Sequence, residues 1–342
     1  MKVLLLAVPF VLPLGDRLAT EYAQNRSVRV VVSTSLDMET VESEMLVNGE
    51  PVEGRGGRER SSDETRTIEY VDEWLAVEDG ELREVRRSFE TLAARGVARF
   101  GDNERDIERD APLADVTLML AVTESGLSVE VVEGDAPDQA LQGQRPELSL
   151  DALLPDGEVA LNEVWNLEAE AIARALGLDL EATLFPEPER EPEDEGGRRG
   201  RGVRGARSPF RPFHELDWSG TATLHAAEEH AGQRCARIAL EIRGEGELTP
   251  PERGGRRGGR AVDLATEARL ATEFEVVLEG TLWFAVERGL PVELTLAGSV
   301  TSDQHTEFTR GDMTRTMIVL EEGEFTHSVQ VTLQDAADEP AK

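Results

Sequence analysis

The chain has 342 residues, with 69 Asp and Glu against 36 Lys and Arg, so its formal net charge is −33. A body this acidic repels phosphate, which argues against nucleic-acid binding. The single cysteine excludes a disulfide framework and a cysteine-ligated zinc site. Hydrophobic residues make up 39%, enough for a core because they are strictly patterned.

Lys2 is followed by an apolar run over residues 3–14, then by Gly15-Asp16. One positive charge ahead of a short apolar run is the layout of a secretory signal peptide. The run is too short to cross a bilayer, which takes about 20 residues. The expectation is a signal peptide over 1–15, a mature chain starting near Asp16, no transmembrane span, and a periplasmic or secreted destination.

From Val28 the even positions read Val28, Val30, Val32, Thr34, Leu36 and Met38, with Arg29, Ser33, Ser35 and Asp37 between them. Period two predicts a strand with one buried and one wet face. A strand ending in Trp74-Leu75-Ala76-Val77-Glu78-Asp79-Gly80 comes next. Val116, Leu118, Leu120 and Val122 then alternate ahead of Glu124-Ser125-Gly126, a turn signal.

Residues 167–176 are rich in Ala and good helix formers, and Gly177 is a stop. Leu167, Ala171, Ile172, Ala175 and Leu176 form one stripe. This is the one central helix expected. Residues 186–213 are first acidic and then Arg-rich, with Gly and Pro throughout, and read as a disordered linker.

The longest alternation follows. Leu264, Leu270, Phe274, Val276, Leu278, Leu282, Phe284 and Val286 share the even phase, and Glu267, Glu273, Glu275 and Glu279 the odd one. At about 3.3 Å per residue such a strand outruns an ordinary domain and must curve. Gly280 is the expected bend.

Trp283-Phe284-Ala285-Val286-Glu287-Arg288-Gly289 repeats the motif at Trp74. Arg/Gly loops, 54–60 and 253–260, precede the two copies. Return strands follow near Glu81 and Val292, then late hairpins over 116–132 and 313–333, the second turning at Glu321-Glu322-Gly323. This order reads as a duplicated β unit. The fold class is therefore mostly β: a long curved antiparallel sheet, half-barrel or barrel-like, with one central helix. The expected division is 1–15 signal peptide, 16–135 first repeat, 136–185 connecting segment, 186–215 linker, 216–335 second repeat and 336–342 tail.

No spacing for a Walker loop, a Rossmann turn, a G-x-S-x-G elbow or a zinc-protease helix is present. No cofactor is expected. His225 and His230 are placed to meet across a hairpin turn at Glu228-Glu229, and solvation explains them better than a metal does. His327 falls on an apolar phase and reads as a hydrogen-bonded core residue. Cys235 reads as a buried small residue. Trp74 and Trp283 read as paired anchors of the two repeats. With Phe274 and Phe284 they are also the candidates for lining a ligand cavity.

The order of leader, long strand, Trp hairpin and Leu153-Leu154-Pro155-Asp156-Gly157-Glu158-Val159-Ala160 leading to Trp165 resembles uncharacterised secreted β-rich proteins of high-GC bacteria. More distantly, the architecture is similar to periplasmic lipoprotein-carrier half-barrels. That resemblance implies an apolar cavity under a curved sheet and carries over no functional residue. Two readings of function follow. One is an exported non-catalytic binding protein that holds a lipid, another apolar ligand or a lipidated partner on a concave sheet. The other is a structural or interaction protein of the cell envelope with a fully packed core. Cavity volume separates them.

Overall fold

The computed structural model describes residues 16–52, 59–186, 208–248 and 267–334. The expected signal peptide 1–15, the loop 253–260, the tail 336–342, and most of the loop 54–60 and of the linker 186–215 lie outside the described residues.

Strands dominate. They are β1 (Asp16–Arg17), β2 (Arg26–Val47), β3 (Glu50–Pro51), β4 (Arg60–Glu78), β5 (Glu81–Phe100), β6 (Asn103–Glu108), β7 (Thr117–Thr123), β8 (Gly126–Glu133), β9 (Glu158–Val159), β10 (Val164–Leu167), β11 (Asp217–His230), β12 (Gln233–Leu248), β13 (Glu267–Ala285), β14 (Leu290–Arg310) and β15 (Met313–Gln334). Thirteen of them form one antiparallel sheet, ordered β10-β11-β12-β13-β14-β15-β2-β4-β5-β7-β8, with β3 and β6 beside β2 and β5. The sheet does not close, because β10 and β8 end the path. β1 and β9 pair separately. Among the described residues no helix is long and apolar enough to cross a membrane.

Alternation sets the facing, as expected. Val28, Val30, Leu36 and Met38 of β2 point inward and are buried, and so are Phe274, Val276, Leu278, Leu282 and Phe284 of β13. Gly280 sits at a sharp close approach. A Cβ there would lie 1.9 Å from the Thr295 carbonyl oxygen, and one on Gly298 would lie 1.8 Å from that of Val277. Only glycine lets neighbouring backbones come this near, so these residues mark where the long strands coil.

The concave face is filled by the chain itself. Residues 136–186 and 208–215 form a plug of 3₁₀ turns (Asp138–Leu141, Ser149–Leu153, Arg211–Glu215) and two helices, α1 (Ala169–Ala175) and α2 (Leu178–Leu184). The single expected helix is thus two. Gly177, at φ +69°, stops the first, as its lack of a Cβ allows. A second begins because Leu178, Leu184 and Phe185 supply a further buried face.

Three more expectations are corrected. The end of the linker is ordered: Phe210 and Phe213 are 1% and 0% exposed and pack against Phe325, with Phe213 also on Phe274 and Trp218. Aromatic burial there outweighs the linker's Gly and Arg content. The second late hairpin is one unbroken strand, β15. Glu321-Glu322-Gly323 lies within it, and Gly323 faces Met38 at a close approach rather than a turn. Last, the two Trp motifs face opposite ways. Trp74 points inward at 1% exposure, whereas Trp283 is half-buried on the outer face. A one-residue difference in phase is enough for this, because strand side chains alternate.

Candidate functional site

β4 and β5 place charge on the concave face. On β4 the inward positions are Glu64, Arg66, Ile68, Tyr70, Asp72 and Trp74, so three apolar or aromatic residues share the face with three ionisable ones that the strand phase forces inside. Arg87 of β5 meets Asp72 as a fork: its Nε and Nη2 donate to the two carboxylate oxygens, both at 2.8 Å. Its Nη1 donates to Gln144 Oε1 at 3.1 Å, and the guanidinium lies 4.4 Å from the Tyr70 ring centroid. Burial pushes the Asp72 carboxyl up and Arg87 opposes this. The two short parallel bonds are those of an ionised pair.

A second network surrounds Glu64. Arg109 donates to both its oxygens, at 3.1 and 2.9 Å, and Arg66 Nε donates to one at 2.9 Å. Arg66 also donates to Ser208 Oγ at 2.5 Å and lies 4.0 Å from the Phe210 ring centroid. Gln144, Ser208 and Phe210 all belong to the plug, so both networks tie it to the sheet.

His327 makes a third tie and is a core residue, as expected. Its Nε2–H donates to the Ala175 carbonyl at the end of α1 (3.0 Å), which leaves Nδ1 to accept from Thr34 Oγ1–H (2.9 Å). Burial lowers its pKa to about 4, so the ring is neutral.

Among the described residues, two hollows between plug and sheet measure about 60 and about 30 Å³. They share Val32, Ile68 and Gly177 and flank the elbow between α1 and α2. One water needs roughly 10–15 Å³ on this measure, so each hollow has room for a few waters at most. Ligand pockets are typically about 300–1,000 Å³.

The four sequence candidates lie elsewhere. Trp74, Phe274 and Phe284 are buried in the core, and none of the four lines either hollow. Trp74 and Trp283 do not pair. Trp74 meets Tyr22 edge-on, while the Trp283 ring stacks on His230 at 4.1 Å. His230 in turn bonds Glu293 at 2.7 Å. It does not meet His225 across a hairpin, because both lie on β11 and the chain turns at Ala231-Gly232, whose φ angles are positive. Cys235 is buried and free. Among the described residues no group of three His, Cys, Asp or Glu is arranged to hold a metal ion.

The buried charges escaped the sequence reading. The available signal was phase: Glu64, Arg66 and Asp72 share the even positions of Ile68, Tyr70 and Trp74. No family model matches the chain, and no curated protein matches it. Among solved structures, an outer membrane channel from Pseudomonas putida F1 aligns over 92% of this chain and 97% of its own, at 7% identity and a TM-score of 0.20. A likeness at that level carries no argument about function.

Proposed function

We propose that the protein is an exported, non-catalytic interaction protein of the cell envelope, working by surface contact around a packed core. The filled concavity supports this reading. The space that a carried ligand would need is taken by residues 136–186 and 208–215, and among the described residues the two hollows between them and the sheet are about 60 and 30 Å³. Hydrogen bonds from Arg66 to Ser208, from Arg87 to Gln144 and from His327 to Ala175 fasten that filling in place.

The second reading is a binding protein that holds an apolar ligand or lipidated partner on the concave sheet. One feature favours it: the hollows adjoin across Gly177, so lifting the elbow would merge them. Native mass spectrometry of the full protein, recovered from the envelope fraction, separates the two. The bare polypeptide mass is the expected result. A stoichiometric lipid adduct would overturn the packed-core reading and establish the carrier.

A further inference from the structure

An open sheet ends in strands whose outer N–H and C=O groups are unpaired, and native chains blunt such edges with short strands, proline or charge. Three edges among the described residues are blunted in these ways. β3 is two residues long and ends in Pro51. β6 carries Glu104, Arg105, Asp106 and Glu108 among its six residues. β10 has four residues and runs on into α1.

β8 is not blunted. It reads Gly-Leu-Ser-Val-Glu-Val-Val-Glu over Gly126–Glu133, with no Lys, Arg or Pro. Among the described residues it pairs with β7 on one side and with no strand on the other. The register sets Leu127, Val129 and Val131 opposite Val122, Leu120 and Leu118 of β7, on the concave face. Leu118 and Leu120 are fully buried, whereas Val129 and Val131 are half-buried and Leu127 is 42% exposed. The core therefore runs off the sheet at this edge, and its apolar row ends uncovered. A register shift at Val132 closes the regular stretch, so residues 126–131 are the free template. The outer face of the same stretch is polar. Glu130 stands beside Met119, exposed and with no ion-pair partner among the described residues. Arg86, two strands in along that row, is engaged by Glu73 at 3.0 Å.

We propose, resting on the surface-contact reading above, that β8 is a docking edge for an extended segment of a partner protein whose alternate residues are apolar and basic. Added as the next strand, the segment completes the ladder of N–H and C=O groups. Its apolar phase covers Leu127, Val129 and Val131, and a Lys or Arg of its other phase stands opposite Glu130. The charge of the body selects this chemistry. At −33 the chain attracts a basic strand and repels a second copy of itself.

Calorimetric titration of the full chain tests this. The probe is the acetylated peptide Val-Lys-Val-Lys-Val-Lys-Val, and its control, Val-Val-Lys-Lys-Val-Val-Lys, has the same composition and charge without the alternation. The alternating peptide should bind about tenfold more tightly than the control and raise hydrogen-exchange protection at residues 126–131. Leu127→Lys places a charge in the inward phase at an exposed position, and should weaken binding about tenfold with the thermal midpoint unchanged. Glu130→Gln should weaken it about threefold. Equal binding of the two peptides, or protection that appears elsewhere and not at β8, would overturn the proposal. So would a dimer of the free protein that Leu127→Lys dissolves, because the edge would then belong to a second copy. A lipid adduct in native mass spectrometry would overturn the packed core without moving either peptide affinity, so failure of that reading and failure of this one are told apart.

Discussion

The two halves of the concave wall are made of different material. In the later half, β12 to β14 present Ile238, Leu240, Val276, Leu278, Leu294 and Leu296, and no Asp, Glu or Arg described after residue 216 is buried. In the earlier half, Glu64, Arg66, Asp72 and Arg87 are buried on the same face of the same sheet, with Arg109, just past β6, buried against Glu64. An aliphatic wall accepts any apolar filling of the right volume. A forked ion pair accepts only groups that complete its hydrogen bonds. The plug supplies such groups, Gln144 and Ser208, to the charged half. The comparison teaches that affinity for the filling is spread over the whole wall, whereas its position is specified mainly by β4 and β5. The repeated Trp motif does not make the two halves equivalent.

The largest expected effect breaks that specification. Arg87→Leu leaves Asp72 at 0% exposure with its charge partner gone. Removing one member of a buried pair costs about 3–5 kcal/mol. The double variant Asp72→Leu/Arg87→Leu should recover most of the loss, because an apolar replacement of the whole pair carries no stranded charge. Urea melts of the two variants decide it. A single-variant loss below about 1 kcal/mol would mean that the charged wall specifies nothing and that the two halves behave alike.

The division between the halves also marks what the sequence shows and hides. Alternation is a count of apolar against polar residues, so β13 is legible over Phe274 to Phe284, although Leu270 in the same phase is 37% exposed. On β4 the same count fails, because Glu64, Arg66 and Asp72 occupy the buried phase. Their partners are also distant in the chain: Arg87 faces Asp72 only after register shifts at Glu69/Tyr70 and Trp74/Ala76 are settled by folding. Gly280 was legible as a special position because it interrupts an apolar row, and the structure gives it a close backbone approach. Gly323 was not, since Glu-Glu-Gly reads equally as a turn, and only the pairing with Met38 makes it a close approach. Phe210 and Phe213 were hidden by their neighbours: the linker's average composition is that of a solvated segment, and two aromatic side chains do not change an average.

A smaller effect is expected in the aliphatic half. Phe274 is 7% exposed and lies 6.0 Å from Phe213, centroid to centroid, at the edge of the plug. Phe274→Ala should cost about 3 kcal/mol, the lower end for such truncations, because the site borders solvent and the flexible neighbours relax into part of the gap. Measured by the same urea melts, the loss should change only the midpoint and leave the slope unaltered. A loss exceeding that of Arg87→Leu would reverse the comparison and place the specifying contacts in the later half.

The smallest effect sits one residue along. Glu275 points to the outer face, where its side chain is 46% exposed and Arg243 Nη2 contacts it at 2.5 Å. Such exposed pairs contribute about 0–1 kcal/mol. Glu275 is also directly opposite Glu245 on β12, and Arg243 bridges the two. Replacing Glu275 with Ala removes one half of that bridge but also one like-charge contact, in a chain whose net charge is −33. Arg243 keeps Glu245. The opposing terms are of similar size, so Glu275→Ala should change stability by no more than about 0.5 kcal/mol in either direction. Thermal melts of Phe274→Ala and Glu275→Ala, run side by side, test the facing of β13 itself, since a register slip of one residue would exchange the two outcomes. A larger loss for Glu275→Ala would put the glutamates inside, and the aliphatic half of the wall would then not exist.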